Sequence, residues 1–231
     1  MKAFLDDLIY VLTHPFALGY FYTSVLIMVA IMIFSIIVGI KIKKMNPKEK
    51  PGKVMSLIIL SISGLNKLVK EVIGKHWKVL APIIISLGMY IFISNIIGVT
   101  GVQTSPTKFS AITFSLSIIA VFTIQMTGFI SKGWRHLKSI FEPVPFIAPL
   151  NIVGEVIPII SLALRLFGNI ASGSLIMLLV YKFTGWASLL IAPAFHLVFD
   201  IGFGIIQTIV FVLLTLILSS TKIDEDDLDY V

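Results

Sequence analysis

The 231 residues are 57% hydrophobic and only 13% charged, with a mean hydropathy of +1.02, which excludes a soluble domain and describes a polytopic membrane protein. The net charge of +6 does not point to nucleic acid, because the positive residues cluster beside apolar runs as the topology rule requires. The lack of cysteine excludes disulfides, thiol chemistry and a thiolate metal site.

Met1 to about His14 reads as a mildly amphipathic surface segment. Asp6 and Asp7 follow a single Lys2, unlike the basic leader of a cleaved signal peptide, so the first spanning helix is expected to direct insertion. No charge occurs from Leu8 to Ile40, more than the ~20 apolar residues a crossing needs. Lys41, Lys43, Lys44, Lys48, Lys50 and Lys53 follow, with Pro47 and Pro51 as breaks.

Val54 to Lys78 changes character. Leu57, Ile58, Leu60, Leu65, Leu68, Val69 and Val72 recur at helical intervals among Ser61, Lys67, Lys70, Glu71 and Lys75, the pattern of an amphipathic helix lying on the membrane; the alternative is a loop with a short apolar patch. Val79 to Ile97 is a second span, Gly98 to Ser110 a loop, and Ala111 to Ile130 a third span that ends at Lys132, Arg135, His136 and Lys138. Pro143, Pro145 and Pro149 punctuate the next entry.

The last two helices, Phe146 to Lys182 and Ala187 to Thr221, would each reach roughly 50–55 Å at 1.5 Å per residue, against a hydrocarbon core of ~30 Å. Tilt and kinks at Pro158 and Pro193 are expected to absorb the excess, with Gly185 in the turn between them. The expected fold is therefore all-α, with five membrane-crossing helices, one interfacial amphipathic helix and a long, strongly tilted terminal hairpin. One integral membrane domain covers 1–231, divided at 1–53, 54–78, 79–142 and 143–231. Ten of the 18 Lys and Arg lie between Lys41 and Lys78 and three between Lys132 and Lys138. Both loops are thus expected in the cytoplasm, with the N-terminus outside and the acidic tail, Asp224 to Asp229, also cytoplasmic.

Only Glu155, Arg165 and Asp200 remain as formal charges at membrane depth. Arg165 in a central helix costs roughly 2.5–3.5 kcal/mol on insertion scales and marks a polar interior or pathway. Ser161, Asn169 and Ser172 share its helical stripe, which reads as a polar seam. Glu155 lies about 15 Å toward the cytoplasm from Arg165 along the helix, and Asp200 on the outer side of the fifth span. One acid facing each compartment suits two half-channels that do not connect. His196, Asp200, Gly204 and Gln207 form a second stripe, with Gln207 placed to accept from Arg165.

Simpler readings stand beside these. Arg165 and Asp200 would alternatively pair as structural ions, and Glu155 would be an acid favoured by a helix start. His196 would cap a network rather than relay protons, and Asn169 and Gln207 would join helices by hydrogen bonds. Gly168, Gly173, Gly202 and Gly204 would allow close helix packing.

Pro149-Leu150-Asn151-Ile152-Val153-Gly154-Glu155 and Leu162-Ala163-Leu164-Arg165-Leu166-Phe167-Gly168-Asn169-Ile170 resemble subunit a of the bacterial F-type ATP synthase. The run Ile206 to Thr215 is similar to that family's final helix, and Tyr90 to Gly98 and Ser105-Pro106-Thr107 match less closely. The resemblance covers about Lys78 to Ser220. It implies that Arg165 is the essential arginine facing each passing c-subunit carboxylate, with Asn169 and Gln207 its polar neighbours. Glu155 would be the acid of the cytoplasmic half-channel, and Ser174 and Asp200 the outer pair. Ser174 stands where Glu or His is common, and Phe109 where many members carry aspartate.

The implied function is a stator subunit with two offset half-channels, coupling proton translocation to rotation of a c-subunit ring and to ATP synthesis in a bacterial plasma membrane. The implied partners are the c ring, the b-subunit peripheral stalk, the rest of the synthase and membrane lipid. No cofactor, metal or nucleic acid is expected. Nor is a nucleotide site, since no Walker-type glycine loop occurs. The rivals are a secondary transporter using Arg165 to bind an anionic substrate, which would bring internal repeats, and a structural membrane scaffold.

Overall fold

The computed structural model describes residues 19–45, 51–99, 105–136, 148–224 and 227, and every regular element among them is helical. Among these residues seven α-helices succeed one another: α1 (Gly19–Lys44), α2 (Lys53–Ile73), α3 (Trp77–Val99), α4 (Ser110–Lys132), α5 (Ala148–Thr184), α6 (Ser188–His196) and α7 (Phe203–Ser220). Four helical stretches among the described residues are long and apolar enough to cross a membrane: Phe21–Lys44, Lys53–Ile97, Ser110–Lys132 and Phe203–Ser220, with a shorter apolar stretch at Leu175–Ala187. The chain is an all-α multi-pass membrane protein.

α1 ends on Lys41, Lys43 and Lys44, charges that favour both the helix C-terminus and the membrane surface. The amphipathic stretch forms a helix as its periodicity demands, but ends sooner than the expected Lys78. Gly74 takes φ 65° and closes α2, a conformation that costs a residue with a Cβ. A single 3-10 turn, Gly74–His76, then leads into α3. α2 buries only Met55, Val69 and Ile73 and leaves Val54, Leu57 and Leu60 largely exposed.

α4 is the central post, packed against both α5 and α7, while α7 also lies along α3. Ile27 and Ile31 of α1, Leu87 and Ile91 of α3, Leu116, Ala120 and Ile124 of α4, Leu162 and Leu166 of α5 and Phe211 of α7 form the main core. A second cluster joins the end of α2 to α3 and α7 through Ile73, Leu80, Ile84 and Leu216. The lining is mostly aliphatic, with Tyr90 and Phe211, and in lipid it is tight packing rather than water exclusion that holds such helices together. Gly88 illustrates the closeness, because a Cβ there would come within 2.8 Å of Val212 Cγ2.

The terminal hairpin is present, with a 37-residue α5 of about 55 Å at 1.5 Å per residue. Phe146, its expected start, lies outside the described residues. Gly185 turns the chain with φ 50°. The return arm is not one continuous α-helix: the π-helical segment Leu197–Gly202 separates α6 from α7, four residues after Pro193. An i→i+5 segment shifts the helical phase of the residues beyond it and is frequent at functional sites.

Candidate functional site

The residues around Arg165 divide sharply by face. Leu162, Ala163 and Leu166 are fully buried against the core, which fixes the rotation of α5 about its axis. Ser161, Leu164, Arg165, Gly168, Ser172 and Leu175 consequently face out from the chain. The arginine stripe is thus displayed on the outer surface of this chain instead of being enclosed by its own helices. Ser172 Oγ returns a hydrogen bond to Gly168 O at 2.7 Å, so its hydroxyl is satisfied within the helix.

Gln207 is buried, whereas its neighbours Ile206 and Ile209 are exposed. The carboxamide therefore points into the helix bundle and not out from α7 with Ile206 and Ile209. Asp200 sits in the π-helical segment, with His196 immediately before it. The side chains of Asn169, Ser174 and Asp200 lie outside the described ones, as do Met1 to His14 and most of the acidic tail. His196 meets the hydroxyl of Tyr181 across the closed end of the hairpin at 2.8 Å.

Glu155 sits in a polar cluster that three other segments complete. Its Oε1 accepts from the ammonium of Lys222 just beyond α7, forming an ion pair. Its Oε2 accepts from the Gln125 carboxamide on α4. The oxygen of Gln125 in turn lies 2.7 Å from Nε2 of His136, and that ring packs edge-on to Phe129. A cleft of about 70 Å³ opens beside them, lined in part by Gly154, Glu155, Pro158 and Lys222. That is room for several waters at roughly 10–15 Å³ each. Burial pushes the His136 ring below the ordinary imidazole range; Lys222 and Lys132 add to this, and Glu155 opposes it.

Sequence reasoning located Glu155 but not Gln125, His136 or Lys222. Gln125 carried a usable signal: a lone carboxamide in an apolar span needs a partner. Lys222 carried none, because 67 residues separate it from Glu155.

The stretches around Tyr90 and Ser105 prove to be one structure at the opposite end of the bundle. Asn95 Nδ2 donates to Gly204 O of α7 at 3.2 Å, and its Oδ1 accepts from Thr107 at 3.1 Å. Ser105 bonds both Thr107 and Ser94 O at 2.7 Å. This buried set clamps the first turn of α7, just after the π-helical segment. Among the described residues no group of three or more His, Asp or Glu is placed to hold a metal ion.

Comparisons with known proteins show the family. The family model described as "ATP synthase A chain" matches residues 22–219. "ATP synthase subunit a" of Mycoplasmoides gallisepticum is 32% identical over 219 residues, covering 83% of this chain and 73% of the relative. The protein of the same name from Legionella pneumophila strain Philadelphia 1 is 34% identical over 157 residues, covering 68% of this chain and 66% of its own length. That from Geotalea daltonii is 30% identical over 182 residues, covering 77% and 78%.

Proposed function

The chain belongs to the ATP synthase A chain family, the proton-translocating stator subunit of the Fo sector, and we propose that its proton path runs past Asp200, Arg165 and Glu155 in that order. As part of the F-type ATP synthase it works with the other subunits. The partner assigned to the Arg165 face is the ring of c subunits. The b-subunit stalk would hold the chain against rotation.

The observation that carries this reading is the outward display of Arg165 between exposed Leu164 and Gly168, backed by fully buried Leu162, Ala163 and Leu166. A guanidinium stays charged under all conditions in proteins. Facing lipid alone it would be expensive; facing the carboxylate of a passing rotor helix it has its counter-ion. The exposed aliphatic side chains around it offer a greasy surface along which a partner helix can slide.

On this reading a proton enters from outside near Asp200 and Ser174, with His196 and Tyr181 at the outer mouth. It neutralises a rotor carboxylate, which then enters lipid without the penalty of a charge. After almost a full turn the carboxylic acid reaches the inner side, releases its proton toward Glu155 and meets Arg165 as an anion. Arg165 favours that anion, with Asn169 and Gln207 as its polar neighbours, and so blocks a direct leak between the two half-channels. Each charge crossing yields roughly 2.3 kcal/mol per 100 mV, so several crossings must accumulate for one ATP. The basic ends of α1 and the α2–α3 turn are assigned to the cytoplasm of a bacterial plasma membrane, with the N-terminus outside and the C-terminus inside. Nucleotide chemistry is assigned to other subunits.

The complete complex in proteoliposomes tests the reading. Arg165→Ala should abolish ATP-driven acidification while the c subunits still co-purify, and should raise passive proton leak once the soluble motor is stripped. Undiminished pumping with normal leak would reject Arg165 as the barrier.

A further inference from the structure

Three polar side chains from three other segments, Lys222, Gln125 and His136, converge on Glu155, and their hydrogen-bond directions agree with one another. Lys222 has only hydrogens to give, so Glu155 Oε1 must accept. Gln125 gives its amide hydrogen to Oε2, which turns its carbonyl oxygen toward His136. His136 must then carry its proton on Nε2. The donors run in relay toward the carboxylate, His136 to Gln125 and Gln125 to Glu155, and the arrangement is strongest when Glu155 is ionised and both its oxygens accept charge-assisted bonds. Protonating Glu155 would leave Gln125 and Lys222 donating to a neutral acceptor, a weaker bond than the carboxylate gives them.

The site is also built around this arrangement. His136 is 2% exposed, and its ring fills the space left by the missing side chain of Gly128. Among the described residues the remaining charges nearby are Lys132 and Asp224, which pair at 3.5 Å, and neither lies on α5. The cleft beside Glu155 and Lys222 has room for water.

We propose that Lys222 is a positioning residue and gate of the inner half-channel, its ammonium holding the Glu155 carboxylate in the ionised, hydrogen-bonded arrangement from which protons are accepted and released. This rests on the reading of Glu155 as the inner acid. In the release direction a rotor carboxylic acid gives its proton, through water, to a Glu155 oxygen and is left as a carboxylate. The neutral Glu155 loses its attraction for Lys222, which swings into the cleft. The Glu155 O–H then gives its proton to water leaving for the cytoplasm, and Lys222 re-pairs with the restored carboxylate. Uptake runs the same steps in reverse. Gln125 and His136 resist the neutral form, so it is brief.

The test is ATP-driven pumping by the complete complex in proteoliposomes, with the bath on the side of the basic loops. Bath pH is varied, and pumping is normalised to uncoupled ATP hydrolysis at each pH. Pumping requires Glu155 to take a proton from the bath, so it fails at high pH. In Lys222→Met the neutral acid is no longer disfavoured, and the high-pH midpoint should rise by about one pH unit, the lower end of what an adjacent opposite charge produces. Lys222→Arg should restore the wild-type midpoint. Gln125→Leu should move the midpoint the same way by less, without touching the ammonium. An unmoved midpoint in both Lys222→Met and Gln125→Leu, alongside a Glu155→Gln variant that pumps poorly, would overturn the gate while leaving Glu155 as the inner acid. Wild-type pumping by Glu155→Gln would remove the reading of Glu155, and the gate with it.

Discussion

The imidazole of His136 lies over Gly128, one turn before the end of α4, so closely that a Cβ on residue 128 would fall 2.5–2.8 Å from three of its ring atoms. The ring is rigid and buried, so it cannot bend away as the tip of a long side chain can. Gly128 is therefore a seat for His136, and His136 is what turns Gln125 toward Glu155.

Gly128→Ala should displace that ring. Overpacking of a filled site costs typically 1–3 kcal/mol, and the purified complex should lose thermal stability accordingly. The structural reading is checked by a second expectation: Gly128→Ala combined with His136→Ala, which empties the seat, should recover most of the loss from overpacking. Equal destabilisation in the single and double variants would reject it.

The His136 ring is held below its ordinary range mainly by burial. A histidine whose folded pKa is lowered binds fewer protons when folded, so its contribution is fully present above the unfolded value of about 6.5. It is lost as pH falls through that value toward the folded one. Thermal stability of the complex should decline from pH 7 toward pH 5, and His136→Gln should flatten that decline. An unchanged slope in His136→Gln would assign the pH dependence to other groups.

Asn95 spans from α3 to the first turn of α7, and a Cβ on Gly204 would lie 3.0 Å from Asn95 Cβ. Asn95→Leu should lower stability by about 0.6–2 kcal/mol, the range measured for hydrogen bonds between membrane helices. The larger effect should be on function, since α7 would lose its register against the π-helical segment holding Asp200. Pumping should fall in assembled complexes more than Arg165-dependent barrier function does, which stripped-vesicle leak measurements would show.

Asp227 ties the C-terminal segment to two other elements. Its Oδ2 accepts from Ser131 at 2.7 Å and lies 3.2 Å from His76 Nε2, while Lys75 stands 3.5 Å from its other oxygen. The Ser131 hydrogen bond is the largest influence holding this carboxyl below its ordinary range, with His76 and Lys75 adding to it against the effect of burial. Because the folded value is lowered, the clasp is intact above about pH 3.9 and is lost as pH falls below it. At neutral pH, Asp227→Asn should speed amide exchange around Gly74 to Trp77 by about 1.5- to 5-fold, in keeping with a partly exposed ion pair. Unchanged exchange would mean the α2–α3 turn is held by packing alone.

What the amino-acid order determined by itself is what short-range chemistry can decide. Apolar runs longer than a bilayer forced helices at α1, α3, α4 and the terminal hairpin, because lipid offers backbone groups no other partner. The period of Leu57, Leu60, Leu68 and Val72 specified an amphipathic α2. Arg165 announced itself because an arginine amid leucines is too expensive to be incidental. The end of α2 at Gly74 was also within reach, since glycine readily takes the positive φ that stops a helix.

Tertiary structure decided everything that depends on how each helix is rotated about its axis. The burial of Leu162, Ala163 and Leu166 turned Arg165 outward, and no count of residues along α5 could say which face the neighbours would cover. The π-helical segment broke the simple four-residue stripe drawn from His196 to Gln207, because the spacing that defines a stripe holds only in an unbroken α-helix. Glu155 and Lys222 became partners across 67 residues, and Asn95 and Gly204 across 109. Such pairs exist only once packing has set the distances between helices, and in a membrane that packing is governed by steric fit, to which hydropathy is blind.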